Sequence, residues 1–163
     1  MGKDGFTIIE LIVVLAIITI LLVIAGLAGK SWMDRYYAER QMREMYVDLM
    51  NARVSAMQRN RVFFAVLTDT QYTVYEDTSP GPDGNGALDT AADRQVMQKD
   101  LSAAYSITWT GANTIQFDTK GIVTAGLGAV RTSTLYGSEY NCIALESTRI
   151  KMGAWNGTDC IAK

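Results

Sequence analysis

The feature that most constrains this chain is an apolar run near its N-terminus, GFTIIELIVVLAIITILLVIAGLA, which begins at Gly5 and ends at Ala28. From Leu11 to Ala28 only Thr19 and Gly26 interrupt the apolar side chains. A helix of about 18 residues is about 27 Å long, close to the hydrocarbon thickness of a bilayer. The run therefore predicts a helix long enough to cross a membrane.

Three interpretations of this run compete, and they differ in their treatment of Glu10. A secretory signal peptide would be cut after Ala28, although its apolar core usually has only about 7–15 residues. A plain membrane anchor leaves Glu10 without a role, although a carboxylate in hydrocarbon costs about 2.5–3.5 kcal/mol on insertion scales. In the third interpretation the chain is cut between Gly5 and Phe6. Glu10 then lies near a helix N-terminus, where the macrodipole favours it, and pairs with the α-amine of a neighbouring subunit.

The segment G|FTIIELIVVLAIITIL resembles the type IV pilin signature, a short leader ending in Gly followed by Phe and by Glu at the fifth mature position. The resemblance implies that a prepilin peptidase cuts between Gly5 and Phe6, that the Phe6 nitrogen is methylated, and that Glu10 is the assembly carboxylate. The implied partners are the peptidase, the inner membrane before assembly, and other pilins or pseudopilins in a filament. The resemblance also implies a single-pass protein with its C-terminal domain in the bacterial periplasm. This orientation rests on the resemblance alone, because the Lys/Arg count after the run does not favour it.

The composition narrows the chemistry available to the rest of the chain. The 163 residues include no histidine, and the formal net charge is −2. A Ser-His-Asp triad, a Cys-His pair and a His-ligated zinc site are therefore excluded, and no bulk field points to nucleic acid. We expect no enzymatic activity, no cofactor and no small-molecule substrate.

Residues 30–61 contain neither proline nor glycine, and their apolar side chains recur at helical spacing. One stripe consists of Met42, Met45, Leu49, Ala52 and Ala56, and the adjacent one of Tyr46, Met50, Val54 and Met57. This pattern predicts an amphipathic helix packed on a core. One nearly continuous helix from Phe6 to about Asn60, roughly 80 Å long, is expected, with Gly26 and Gly29 as the places where it loosens.

From Val62 onward the pattern changes to short runs rich in β-branched and aromatic residues, separated by turn residues. The runs cover 62–67, 71–76, 106–110, 114–118, 121–125, 132–137, 140–146 and 149–153. They predict an α+β fold, in which the long N-terminal helix packs on an antiparallel β-sheet or β-sandwich domain. The expected organisation is a prepilin leader (1–5), a transmembrane and filament-core helix (6–28), an amphipathic helix (29–61) and a β-rich periplasmic domain (62–163).

The two cysteines, Cys142 and Cys160, lie close together near the C-terminus. After a membrane-targeting segment they predict a disulfide formed in an oxidising compartment. Such a bridge would close a loop of about 18 residues, worth roughly 3 kcal/mol. The alternative is two buried free thiols in a cytosolic protein.

Residues 77–93, DTSPGPDGNGALDTAAD, contain both prolines of the chain and predict a long, exposed acidic loop. Oxygen ligands are those that calcium prefers, and the weak calcium candidates are Asp83, Asn85 and Asp89, with Asp77 and Asp93 nearby. The spacing is not that of an EF-hand, so a plain acidic loop is the competing interpretation and no other metal site is expected.

Three later segments resemble GspH/FimT-type minor pseudopilins and minor pilins: DLMNARVSAMQRNRVFFAVL, TIQFDTKGIVTAG and CIALESTRIKMG. The resemblance implies a structural subunit of a type II secretion pseudopilus or of a type IV pilus. The alternative is a FimT-like minor pilin that binds DNA during uptake through a C-terminal basic strand. Arg149 and Lys151 would be its phosphate contacts, although Thr148 and Lys151 replace the Gly and the second Arg of that element.

Overall fold

A computed structural model of the chain describes residues 7–81 and 84–163, without the side chains of residues 25–28. Its first element is a helix, α1, that covers Ile8–Arg59 and is about 78 Å long at 1.5 Å per residue. The Thr7 hydroxyl accepts a hydrogen bond from the Glu10 backbone N–H at 3.3 Å, which caps the N-terminus. Asn60 ends the helix with a left-handed φ of 52°, and its N–H donates to the Ala56 carbonyl.

The helix continues through Gly26 and Gly29, the two positions where the sequence predicts that it could loosen, and that prediction stays untested. A glycine within a helix costs only about 1 kcal/mol relative to alanine, and the hydrogen bonds on either side hold the backbone. The membrane-directed and soluble halves of α1 therefore form one continuous element.

The strands of the described residues form two five-stranded antiparallel sheets. They are β1 Phe63–Thr68, β2 Gln71–Glu76, β3 Arg94–Asp100, β4 Ile107–Trp109, β5 Thr114–Phe117, β6 Val123–Ala125, β7 Gly128–Thr132, β8 Cys142–Leu145, β9 Ile150–Trp155 and β10 Cys160–Ala162, with a 3₁₀ turn at Ala103–Tyr105. The first sheet has the order β3-β2-β1-β5-β6 and the second β10-β9-β8-β7-β4. The predicted α+β fold, a long helix on antiparallel sheets, is confirmed.

Three strands differ from the sequence-based prediction. Strands β3 and β10 lie in segments where the sequence analysis predicts no strand. The sequence predicts a strand at 132–137, but the strand in this region, β7, covers Gly128–Thr132 and ends where the predicted strand begins. Both missed strands are sheet edges, where one neighbour supplies the backbone hydrogen bonds. Strand β3 consists mostly of exposed polar residues, and β10 has only three residues, so neither strand has a clear hydrophobic pattern.

The core lies between α1 and the two sheets, and α1 contacts strands of both. The predicted stripe of α1 is buried in this core, together with Ala38; its members are Met42, Met45, Leu49, Ala52 and Ala56. In the second predicted stripe Tyr46 and Met50 pack partly against the core. Val54 and Met57 are 38% and 44% exposed, so the prediction is wrong for them. The buried face of α1 is narrower than the apolar face of its sequence.

The C-terminal end of α1 is tied to the first sheet by one buried carboxylate. Glu76 at the end of β2 is 3% exposed and forms ion pairs with Arg59, Arg61 and Arg94. A buried charge is tolerated only when it is paired and hydrogen-bonded. The ion pairs of Glu76 with these arginines therefore hold the end of the helix against the first sheet.

The turn between β5 and β6 explains the Phe-Asp-x-x-Gly motif of the sequence. Asp118 Oδ1 accepts hydrogen bonds from the backbone N–H groups of Lys120 at 2.9 Å and Ile122 at 2.7 Å. Gly121 has a φ of +73°, and a Cβ placed on it would lie 2.9 Å from Met57 Sδ on α1. Only glycine satisfies both the left-handed backbone and the close approach of the helix.

We predict that Gly121→Ala lowers the free energy of unfolding by about 2–4 kcal/mol, because left-handed strain and overpacking against Met57 add. Gly86→Ala is the matched control: its φ is +75°, but a Cβ there meets nothing within 4 Å, so strain alone should cost about 1–2 kcal/mol. Urea denaturation of both variants in detergent micelles measures the difference. Equal losses would show that contact with the helix is unimportant.

Candidate functional site: the N-terminal half of the helix

The N-terminal half of α1 is an apolar surface without a partner inside the described chain. Its large apolar side chains from Ile8 to Ile24 are 45–80% exposed. Its most apolar 18-residue window has a mean hydropathy of 3.3, and none of that window is buried. By length and composition this helix suffices to span a membrane, a test that a signal sequence near an N-terminus also passes. Such a surface needs lipid or other apolar helices around it.

Glu10 lies in the first turn of this exposed helix. Its backbone N–H is capped by Thr7, which gives the segment a Thr-x-x-Glu pattern at the helix start. Within residues 7–81 and 84–163 the Glu10 carboxylate has no ion-pair partner. As far as the described residues go, the carboxylate is therefore available to pair with a cation of another molecule.

Gly5 and Phe6, the predicted cleavage and methylation positions, lie outside the described residues. The helix starts at Ile8, two residues after Phe6. Glu10 therefore lies close to the predicted new terminus along the chain, and the cleavage itself stays a prediction.

A chain of aromatic rings begins where the apolar run ends, and sequence reasoning missed it. Trp32 stacks on Tyr36 with ring centroids 6.1 Å apart, and Tyr36 meets Tyr37 at 5.6 Å. Tyr37 lies 6.3 Å from Tyr105, which lies 5.3 Å from Tyr136. The spacing WMDRYY already indicated that Trp32 and Tyr36 share a helix face. Only the tertiary fold brings in Tyr105 and Tyr136 from the β-rich domain.

The two residues predicted as DNA contacts do not form a matched basic pair on one strand. Arg149 lies in the turn before β9, which begins at Ile150, and is exposed. Lys151 Nζ lies 3.1 Å from Glu146 Oε1 and is neutralised there. Elsewhere on this sheet Arg131 stacks on Trp155.

The acidic loop uses its carboxylates to hold its own backbone. Asp77 accepts from the N–H groups of Asn85 at 3.2 Å and Gly86 at 2.6 Å. Asp93 accepts from Thr78, Ser79 and Asp89 at 2.8–3.1 Å. Asn85 and Asp89 each accept from the backbone two residues later.

The calcium site stays an untested prediction. The described residues contain no group of three carboxylate, cysteine or histidine side chains arranged for a metal ion. Asp83, one of the three candidates, lies outside the described residues.

Cys142 at the start of β8 and Cys160 at the start of β10 form a disulfide. The two strands flank β9 on either side in the second sheet. The bridge therefore ties the short C-terminal edge strand to the middle of the sheet.

We predict that Asp93→Asn lowers the free energy of unfolding by about 1.5–3 kcal/mol at neutral pH, because backbone donors lose a charged acceptor. Burial acts to raise the pKa of Asp93, but the N–H groups of Asp89, Thr78 and Ser79 outweigh it, so the pKa lies below its ordinary value. A lowered folded pKa stabilises the protein above the unfolded pKa of about 3.9, and this contribution is lost as the pH falls through the folded pKa.

Urea denaturation from pH 7 to pH 2 should therefore show the wild type converging on Asp93→Asn at acidic pH. Asp89→Asn is the control, since Asp89 is exposed in the same loop and its carboxylate accepts a hydrogen bond from the Ala91 N–H rather than from three backbone donors. A gap between Asp93→Asn and wild type that does not change with pH would contradict the assignment.

Comparisons with known proteins find matches to the N-terminal segment and to the fold. Residues 1–26 match the prokaryotic N-terminal methylation motif. A comparison with curated proteins finds no match. Two solved structures of the minor pseudopilin EpsH from the type II secretion system of Vibrio cholerae share the fold. One has a TM-score of 0.54 at 12% identity, covering 77% of this chain and 99% of that chain. The other has a TM-score of 0.50 at 12% identity, covering 72% and 97%. The N-terminal segment therefore carries the methylation motif, and the fold of the chain is similar to that of EpsH.

Proposed function

We propose that this protein is a structural minor subunit, a pseudopilin, of a type II secretion pseudopilus. The observation that carries the proposal is an exposed apolar half-helix whose first turn holds a carboxylate, Glu10, that has no ion-pair partner among residues 7–81 and 84–163. The methylation motif over residues 1–26 and the fold shared with EpsH support the same assignment. The type II secretion system is preferred over a type IV pilus because the solved relatives come from the former.

Before assembly, residues 6–28 of the processed chain anchor it in the bacterial inner membrane, and residues 62–163 lie in the periplasm. During assembly the apolar half of α1 moves from lipid to the helices of neighbouring subunits. Lipid tails are as apolar as leucine side chains, so this transfer has a small net hydrophobic cost. Residues 29–61 hold the β-rich domain on the outside of the filament.

In the membrane the Glu10 carboxylate is costly, and so is an unpaired α-amine at Phe6. Docking one subunit on the next brings the two charges together and removes both penalties. The pair also fixes the register of adjacent helices, because hydrocarbon offers no other polar partner at that depth. Glu10 therefore acts as an assembly residue, and the protein has a structural rather than an enzymatic role.

The alternative of DNA uptake through Arg149 and Lys151 stays a prediction. The pairing of Lys151 with Glu146 leaves one exposed cation of the two, and a single phosphate contact gives only weak, salt-sensitive binding.

We predict that the mature chain begins at Phe6 with an N-methylated α-amine. Mass spectrometry of the protein isolated from membranes should find the peptide that starts FTIIE with one added methyl group, and it should disappear in a strain without prepilin peptidase. A mature chain that begins at Gly29 would support the signal-peptide interpretation instead.

We predict that Glu10→Gln is inserted and processed normally but enters filaments about tenfold less efficiently or worse, which corresponds to about 1.4 kcal/mol or more. Glutamine keeps the size of the side chain and removes the charge that pairs with the α-amine. The measurement is the recovery of the variant with sheared filaments, relative to its amount in the membrane.

Thr19→Ala is the matched control, because Thr19 is a polar residue in the same exposed segment whose hydroxyl donates only to the Ala16 carbonyl of its own helix, at 2.8 Å. It should assemble like the wild type. Normal recovery of Glu10→Gln would contradict the charge-pair role.

A further inference from the structure

We propose that the aromatic chain of Trp32, Tyr36, Tyr37, Tyr105 and Tyr136 is a docking surface that seats the β-rich domain on the headgroup layer of the membrane. The inference rests on the proposed function, since it requires that α1 is anchored in a bilayer before assembly. It goes further in naming a second contact with lipid, made by the folded domain.

The position of the rings along α1 carries the first step. The apolar run ends at Ala28, so Trp32 lies about 6 Å and Tyr36 about 12 Å further along the helix axis. The headgroup layer occupies roughly 5–8 Å on each side of the hydrocarbon. Trp32 therefore lies within this layer. The Cα of Tyr36 lies about 4–7 Å beyond the layer, and its side chain leans back toward it, because side chains on a helix point toward the N-terminus.

The chemistry of the rings carries the second step. Trp32 is 69% exposed, Tyr36 54% and Tyr37 40%, so the cluster leaves a large amphipathic surface uncovered. Tryptophan and tyrosine concentrate at membrane interfaces because their rings are apolar and their polar atoms remain hydrated. The charged neighbours Lys30, Asp34, Arg35 and Glu39 balance one another, so the surface is suited to the interface by its rings rather than by net charge.

The fold holds part of the domain at the same height as these rings. The Tyr105 hydroxyl donates to Asp34 Oδ1 at 3.1 Å, which fixes the 3₁₀ turn Ala103–Tyr105 beside the start of the soluble helix. The Tyr136 hydroxyl donates to the Ala104 carbonyl and ties the loop after β7 to that turn. Leu135 in this loop is 48% exposed. The loop therefore presents an apolar side chain at the membrane-proximal end of the domain.

The opposite end of the domain provides a matched reference position. Leu127 is 49% exposed and precedes Gly128, which pairs with Leu145. The turn after Leu145 contains the Thr148 carbonyl, which accepts from Arg53 of α1. Arg53 lies about 24 Å further along the helix than Tyr37, so Leu127 is far from the membrane.

The test uses the full-length protein in phosphatidylethanolamine/phosphatidylglycerol vesicles doped with phosphatidylcholine brominated near the headgroup end of its chains. Leu135→Trp and Leu127→Trp are each placed in a Trp32→Phe background that keeps Trp109 and Trp155. For each variant we compare the tryptophan fluorescence in vesicles that contain the brominated lipid with that in otherwise identical vesicles without bromine. The fraction of fluorescence lost is then compared between the variants. The wild type compared with Trp32→Phe reports the depth of Trp32 itself.

We expect the Leu135→Trp emission to be quenched as strongly as that of Trp32, and that of Leu127→Trp to be unquenched. Quenching of Trp32 without quenching at position 135 would overturn the docking surface and leave the anchored subunit intact. An unquenched Trp32 would refute the membrane anchor and with it the proposed function. Thr134→Trp, at an exposed neighbouring position, repeats the measurement if Leu135→Trp fails to fold, and an unquenched Thr134→Trp overturns the docking surface equally.

Discussion

The structure depends on the burial of one narrow stripe of a single helix. Met42, Met45 and Leu49 are completely buried, and they fill the space that both five-stranded sheets share. Neither sheet alone has a second layer to cover its apolar face, so the helix supplies the core that makes the domain one unit. The same helix extends beyond the domain, and its direction fixes where the apolar half emerges. Packing of the soluble half thereby orients the half that meets lipid or neighbouring subunits.

Several charged groups of the described residues hold parts of the fold together. Glu76 pairs with Arg59 and Arg61 at the end of the helix and with Arg94 at the start of β3. Asp93 accepts hydrogen bonds from backbone N–H groups of its own loop. Lys151 pairs with Glu146. A charge that is paired locally contributes little attraction at longer range, particularly at physiological ionic strength. The described surface therefore leaves the apolar half-helix with Glu10, and the aromatic chain beside it, as its most distinctive features.

The aromatic chain and the apolar half-helix share one property, which is that each can contact either lipid or protein. Under the proposed function, a subunit that is anchored in the membrane and then leaves it needs a lipid-facing surface that other subunits can cover in its place. An aliphatic helix meets that need in the hydrocarbon, and tyrosine and tryptophan meet it at the interface, because their rings pack equally well on lipid or protein. The Glu10 carboxylate, which has no ion-pair partner in the described part of the chain, adds direction to a surface that is otherwise non-specific.

The sequence by itself determined the long helix, the buried stripe on its soluble half and the strand-rich domain that follows, because these depend on local periodicity. It also determined the N-terminal signal, in which Gly5, Phe6 and Glu10 stand in a fixed order within a short segment. Only the tertiary structure decided that Lys151 pairs with Glu146, that β3 and β10 are edge strands, and that Tyr105 and Tyr136 join the rings of the helix. Those features depend on which distant segments become neighbours, and local spacing in a sequence carries no record of that.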